Sequence, residues 1–169
     1  MKLSRTAFIL LLITFNIAAD QISKWIVRAN MTYGRQGEMD VIGDYFQLIW
    51  VENKGAFLGM GSDMNATLKL IFLLILPTLV LGYVVYYIFK TKSLDRLSLI
   101  AFCCIIGGGI ANVFDRIVYG KVTDFMYIEL TDVLKTGIFN IADVSVTTGM
   151  IILIFSNFLG SKKQKAEVA

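Results

Sequence analysis

The sequence predicts an all-α membrane protein: four transmembrane helices with a small extracytoplasmic β-sheet and a short outer loop or helix. Hydrophobic residues make up 56% of the 169 and charged residues only 17%, and mean hydropathy is +0.68, far from the balance of a soluble domain. Four apolar runs are each long enough to cross a hydrocarbon core of about 30 Å as a helix. Between the first two lies a glycine-rich polar stretch holding YFQLIWV, whose aromatic and β-branched content favours a strand. With one Pro and no internal repeat, the chain reads as a single integral membrane domain over residues 1–169.

The first span, about 7–27, follows Lys2 and Arg5. Its opening imitates a secretory signal peptide with Ala18-Ala19 as a cleavage site. Trp25, Ile26 and Val27 resume the apolar pattern, which favours a retained helix. Asp20 and Lys24 sit one helical turn apart and can pair on one face. The outer sheet region is expected over 38–57, with Gly55 allowing a tight turn beside Asn53. The competing reading is an aromatic belt, in which Tyr45, Phe46 and Trp50 rest at headgroup level. Residues 58–65, with Gly59 and Gly61 as hinges, read either as a lid or as an ordinary exposed loop.

The second span covers 67–89, with Lys69 at its outer end and a kink expected at Pro77. In the third, 97–114, Gly107, Gly108, Gly109 and Ala111 permit a close helix approach. Residues 117–139 read as a polar loop. The fourth span, 141–159, precedes a basic tail.

Residues 1–6, 90–96 and 161–169 hold eight Lys or Arg, against four in the longer 29–66 and 117–140 segments. Both termini are therefore expected in the cytoplasm, with the polar clusters toward the outer face. The net charge of +3 is spread over short segments and argues for orientation, not for nucleic acid. The absence of His removes Ser-His and Cys-His nucleophile pairs and HExxH zinc sites. Cys103 and Cys104 are adjacent, point about 100° apart on a helix and read as small core residues.

Chemistry concentrates in GGGIANVFDR, VTDF and FNIAD. Asp124 and Asp143 are joined by a loop that begins and ends on one membrane face, so the fold can bring them together. Two nearby carboxylates cannot easily both ionise; one can take a proton from water while the other gives one to a substrate. Phe125 and Phe139 would supply apolar walls. Asn112 and Arg116 share a helix face. Asp115 with Arg116 reads as a charge pair anchoring the third helix. From chemistry alone, a carboxylate-based hydrolase, an ion or solute pathway and a structural role all remain open.

The motifs DQISK (20–24), NKGAF (53–57), GGGIANVFDR (107–116), VTDF (122–125) and FNIAD (139–143), in this order, resemble the motif set of the bacterial lipoprotein signal peptidases, the type II signal peptidases. The resemblance covers roughly residues 15–145. It implies a membrane-embedded aspartic endopeptidase that cuts a prolipoprotein N-terminal to its diacylglyceryl-modified cysteine, with Asp124 and Asp143 as the catalytic dyad and an activated water. It implies substrate-binding or dyad-orienting roles for Asn112, Arg116, Asn140, Asn53 and Gly55, and supporting roles for Asp20, Lys24 and Asp115. Ala111 departs from the family pattern, where Gly is frequent. No metal or organic cofactor and no nucleic acid partner is expected. The expected partners are the diacylglyceryl-prolipoprotein substrate and membrane lipids, for a monomer in the bacterial cytoplasmic (inner) membrane.

Overall fold

A computed structural model describes residues 3–56, 60–131 and 133–167, with side chains as far as Ser156. Three described helices are long and apolar enough to cross a membrane: α1 (Arg5–Asn30), α2 (Ala66–Lys90) and α3 (Arg96–Tyr119). A fourth helix, α4 (Ile141–Glu167), is apolar over the shorter stretch Ile141–Ser156. Polar side chains start the helices as N-caps. Ser4 accepts from Ala7 N–H, Asn65 from Leu68 N–H and Asp95 from Ser98 N–H, each satisfying a donor that the helix leaves unpaired.

Apolar side chains lie on both sides of the packing. Ile9, Ile88, Leu99, Cys103 and Ile106 form a buried core between α1, α2 and α3. Phe15, Leu79, Tyr83 and Phe155 are exposed, as expected of helices whose outer solvent is lipid. Cys103 is buried in this core and Cys104 half-buried, both free. α3 and α4 meet through glycine. A Cβ on Gly108 would collide with the Ala142 carbonyl, and one on Gly149 would stand 2.6 Å from the Ala101 carbonyl. Backbones this close need residues without side chains.

Pro77 acts one turn earlier than a simple kink. Leu70–Ile75 forms a π-helical segment, in which Leu76 N–H reaches back to the Ile71 carbonyl. The proline ring has no N–H and crowds the preceding turn, and the wider turn accommodates it.

The sheet is antiparallel, in the order β1-β2-β3, with β1 at Met39–Ile42, β2 at Phe46–Asn53 and β3 at Val122–Ile128. β3 corrects the expectation of a polar loop over 117–139, and α3 runs past Phe114 to Tyr119, where Gly120 closes it at φ +70°. VTDFMYI is rich in β-branched and aromatic residues, but its buried Asp124 disguises it. The strand is buried almost throughout, against Val27 near the C-terminal end of α1 and against Phe46, Trp50 and Phe139. Of the aromatic-belt residues, Tyr45 is exposed, while Trp50 meets Tyr33 edge-on at 5.7 Å. The 58–65 segment begins outside the described residues. Its described part turns at Gly61, where Met64 N–H bonds back to the Gly61 carbonyl at 3.0 Å.

Candidate functional site

Asp124 reaches its place through the sheet. Val51 pairs with Asp124 and Asn53 with Val122, so Asn53 lies diagonally beside Asp124 on the same sheet face. Its Nδ2 donates to Asp124 Oδ2 at 3.0 Å. On the other side, Phe139 runs antiparallel to Met126 and its carbonyl accepts from Phe125 and Met126 N–H. That pairing sets the next residue, Asn140, against Asp124, and Asn140 Nδ2 donates to Asp124 Oδ1 at 2.6 Å.

Asn140 also begins α4. Its Oδ1 accepts from Asp143 N–H at 2.9 Å, while its own N–H donates to Asp143 Oδ2 at 3.2 Å. This is a reciprocal capping box with Asp in the third helical position. One asparagine thus binds both aspartates. From α3, Asn112 Nδ2 donates to Asp143 Oδ1 at 2.9 Å, and Asn140 Nδ2 also reaches Asn112 Oδ1 at 3.2 Å. These contacts join Asn53, Asp124, Asn140, Asp143 and Asn112 into one network across β2, β3, α4 and α3, in which Asn112, Asn140 and Asp143 close a ring and Asp124 and Asn53 extend from Asn140. Neither aspartate forms a salt bridge among the described residues. Burial pushes the Asp124 carboxyl up to about 7, with the Asp143 charge adding to the rise against the amides of Asn53 and Asn140. It can therefore hold a proton near neutral pH.

Gly55 and Arg116 form the rim. Gly55 N–H donates to Asn53 Oδ1 at 2.8 Å, Asn53 Nδ2 to the Ala56 carbonyl at 2.9 Å, and Arg116 Nη2 to the Gly55 carbonyl at 2.9 Å. Asn112 and Arg116 do share a face, since Arg116 Nη1 donates to the Asn112 carbonyl at 3.3 Å.

The expected Asp115–Arg116 pair does not form. Sequence neighbours on a helix point away from one another, and Asp115 turns inward to Lys24 instead, at 2.8 Å. Asp20 pairs with Lys24 as expected, at 2.7 Å, and all three side chains are fully buried. Lys24 Nζ also donates to Asn112 Oδ1 at 2.9 Å. Gln21 Nε2 bridges to Asp115 Oδ1 at 3.0 Å, and Asp20 Oδ1 accepts from Ala142 N–H at 2.9 Å. Sequence reasoning missed Gln21 and the Thr123 N–H that faces Asp115 Oδ2 at 3.4 Å, although Gln21 lies inside the DQISK motif.

Three cavities reach the aspartates. One of about 530 Å³ is walled by Phe72, Leu73, Pro77, Val146 and Met150, with Asn112, Arg116 and Asp143 at its polar end. A second, of about 360 Å³ between Lys135, Phe139 and Thr148, shares Asp143 and Thr147 with the first. A third, of about 340 Å³, opens between Asn53, Lys54 and Ile138 onto Asp124. Among the described residues no group of three or more Cys, Asp or Glu side chains is placed to hold a metal ion. Chemically, the network presents two carboxylates, Asp124 buried and Asp143 half-buried, held by neutral amides beside apolar clefts, an arrangement able to take up and give back a proton.

Residues 12–159 match the family model described as signal peptidase (SPase) II. The chain is similar to lipoprotein signal peptidases of Pelodictyon phaeoclathratiforme (35% identity, 85% of this chain and 86% of the relative), Borrelia duttonii (33%, 95% and 92%) and Solibacter usitatus (30%, 90% and 90%). A solved structure of a bacterial membrane enzyme superposes with a TM-score of 0.82 at 27% identity, covering 96% of this chain and 94% of that one.

Proposed function

The chain belongs to the signal peptidase II family, and from that membership together with the geometry of the network we propose that it is an aspartic endopeptidase acting on diacylglyceryl-modified prolipoproteins. Asp124 and Asp143 are the dyad. The observation that carries this reading is Asn140, which bonds both carboxylates at once while neither meets a cation among the described residues.

One carboxylate takes a proton from water as the water oxygen bonds to the scissile carbonyl carbon. The other donates to the carbonyl oxygen. In the second half the carbon–nitrogen bond breaks, the amine leaves with a proton from the dyad, and the tetrahedral hydroxyl proton returns to it. The new N-terminus is the lipidated cysteine, and the signal peptide leaves as a free acid. Asn53, Asn112 and Asn140 orient the dyad; Gly55 and Arg116 shape the rim that the substrate backbone crosses. Asp20, Lys24 and Asp115 support the network from behind.

Asp143 and Thr147 line two cavities, so an extended substrate lying across Asp143 occupies both. The larger cavity, apolar except at the dyad, suits the acyl chains or the apolar signal segment, which approach laterally from lipid. We further read α4 as a fourth span over 141–159, both termini as cytoplasmic and the dyad as facing outward in a bacterial inner membrane, on the charge asymmetry of the connecting segments.

The test is cleavage of a diacylglyceryl-modified precursor by purified protein in a bilayer mimetic, followed by mass. Wild type should release the signal peptide at the lipidated cysteine, and folded Asp124→Asn and Asp143→Asn proteins should not. An inactive wild type, or full activity in either variant, would overturn the reading.

A further inference from the structure

We propose that Lys24, which pairs with Asp20 and Asp115 but with neither Asp124 nor Asp143, is a positioning residue for the dyad and acts through the amide of Asn112. The inference rests on the dyad reading above. An ammonium carries three donors and no acceptor. Those of the buried Lys24 meet Asp20 Oδ2 at 2.7 Å, Asp115 Oδ2 at 2.8 Å and Asn112 Oδ1 at 2.9 Å.

The third contact decides which way round the Asn112 amide lies. Its Oδ1 accepts from Lys24 and, at 3.2 Å, from Asn140 Nδ2. A flipped amide would set its own NH₂ against both donors and present its oxygen to the Asp143 carboxylate. With Lys24 in place, only one orientation satisfies every group, and it directs Nδ2 onto Asp143 Oδ1 at 2.9 Å.

The ammonium is itself fixed. Asp20 is tied to Ala142 N–H at 2.9 Å, and Asp115 to Gln21 Nε2 at 3.0 Å. Packing does not require such a cluster, because buried ion pairs replaced by apolar groups of similar volume often leave stability unchanged or raised. What an apolar replacement cannot supply is a donor aimed at Asn112.

The experiment is steady-state cleavage of a diacylglyceryl-modified precursor by full-length protein in a bilayer mimetic, comparing Lys24→Met, Asn112→Ala and their double variant. Each single change should lower kcat by about 10²-fold, the usual cost of a small misplacement of a reacting group, with KM within about twofold. The double variant should lose no more than either single one. Lys24→Met with wild-type kcat, or losses that multiply in the double variant, would overturn the assignment.

Lys24→Met strands two buried carboxylates, so the comparison is repeated in Asp20→Asn/Lys24→Met/Asp115→Asn, which leaves no charge in the cluster. A folded protein with reduced kcat, insensitive to Asn112→Ala, supports the proposal. Wild-type kcat, or failure of this neutral protein to fold, overturns it in favour of a dispensable or a purely structural lysine. Asp143→Asn runs alongside: if it cleaves at the wild-type rate, the dyad reading fails rather than the role of Lys24.

Discussion

Asp20 and Asp115 close on the ammonium of Lys24, whereas Asp124 and Asp143 close on the neutral amides of Asn53, Asn112 and Asn140. These two sets of carboxylates are joined by one side chain, Asn112, yet they suit opposite tasks. A carboxylate held by a buried cation cannot take up a proton without stranding its partner. One held by amides can gain or lose a proton with no ion pair to break. On the proposed reading, the same residue type becomes framework in one place and reagent in the other, according to the charge of what holds it.

The sharpest separation should come from removing acidity on each side. Asp124→Asn or Asp143→Asn should lower kcat by about 10⁴-fold or more in a folded protein, judged by signal-peptide release and thermal unfolding together. Asp20→Ala should do the reverse, costing about 3 kcal/mol of stability while leaving measurable cleavage. The distinction collapses if Asp20→Ala proves fully stable and inactive.

A smaller effect tests whether the two sets share one rigid frame. A Cβ at Gly108 collides with the Ala142 carbonyl, so Gly108→Val should push back the start of α4, lowering stability by about 2 kcal/mol and reducing kcat. Unchanged kcat would mean that α4 shifts without disturbing Asp143.

Protonation offers a gentler probe. The folded Asp124 carboxyl titrates near 7, above its ordinary 3.8, so the native protein binds a proton that the unfolded chain releases. Its contribution is complete below about pH 4 and is lost as pH rises toward 7, with a slope of at most about 1.4 kcal/mol per pH unit. Asp124→Asn should flatten that part of the unfolding profile. An unchanged slope would assign the titration elsewhere. Smallest of all, Arg35→Ala removes an ion pair at 3.2 Å to Glu38 from an arginine 67% exposed; melting curves should place its effect within about 0.5 kcal/mol.

What the sequence reveals divides along the same line. α1, α2 and α3 are legible because an apolar run of helical length has few other fates, and the Asp20–Lys24 pair is legible because one turn separates them. Asp115 misleads because its nearest charged neighbour in sequence, Arg116, points elsewhere on the helix, while its partner Lys24 comes from α1. β3 was hidden by Asp124, a polar residue in a strand buried on both faces. Motif resemblance selects Asp124 and Asp143, but neither motif nor spacing discloses that a single asparagine bonds both, since that follows from the pairing of Phe139 with Met126.

The first turn of a helix is usually where amide hydrogens exchange fastest, because its leading N–H groups lack helical partners. In α4 they do not lack them: Ala142 N–H is taken by Asp20 and Asp143 N–H by Asn140. In deuterated solvent these two amides should exchange as slowly as those of a helix interior. The start of α4 then behaves as a fixed point, and the segment bearing Asp143 has little freedom to fray when substrate arrives or leaves.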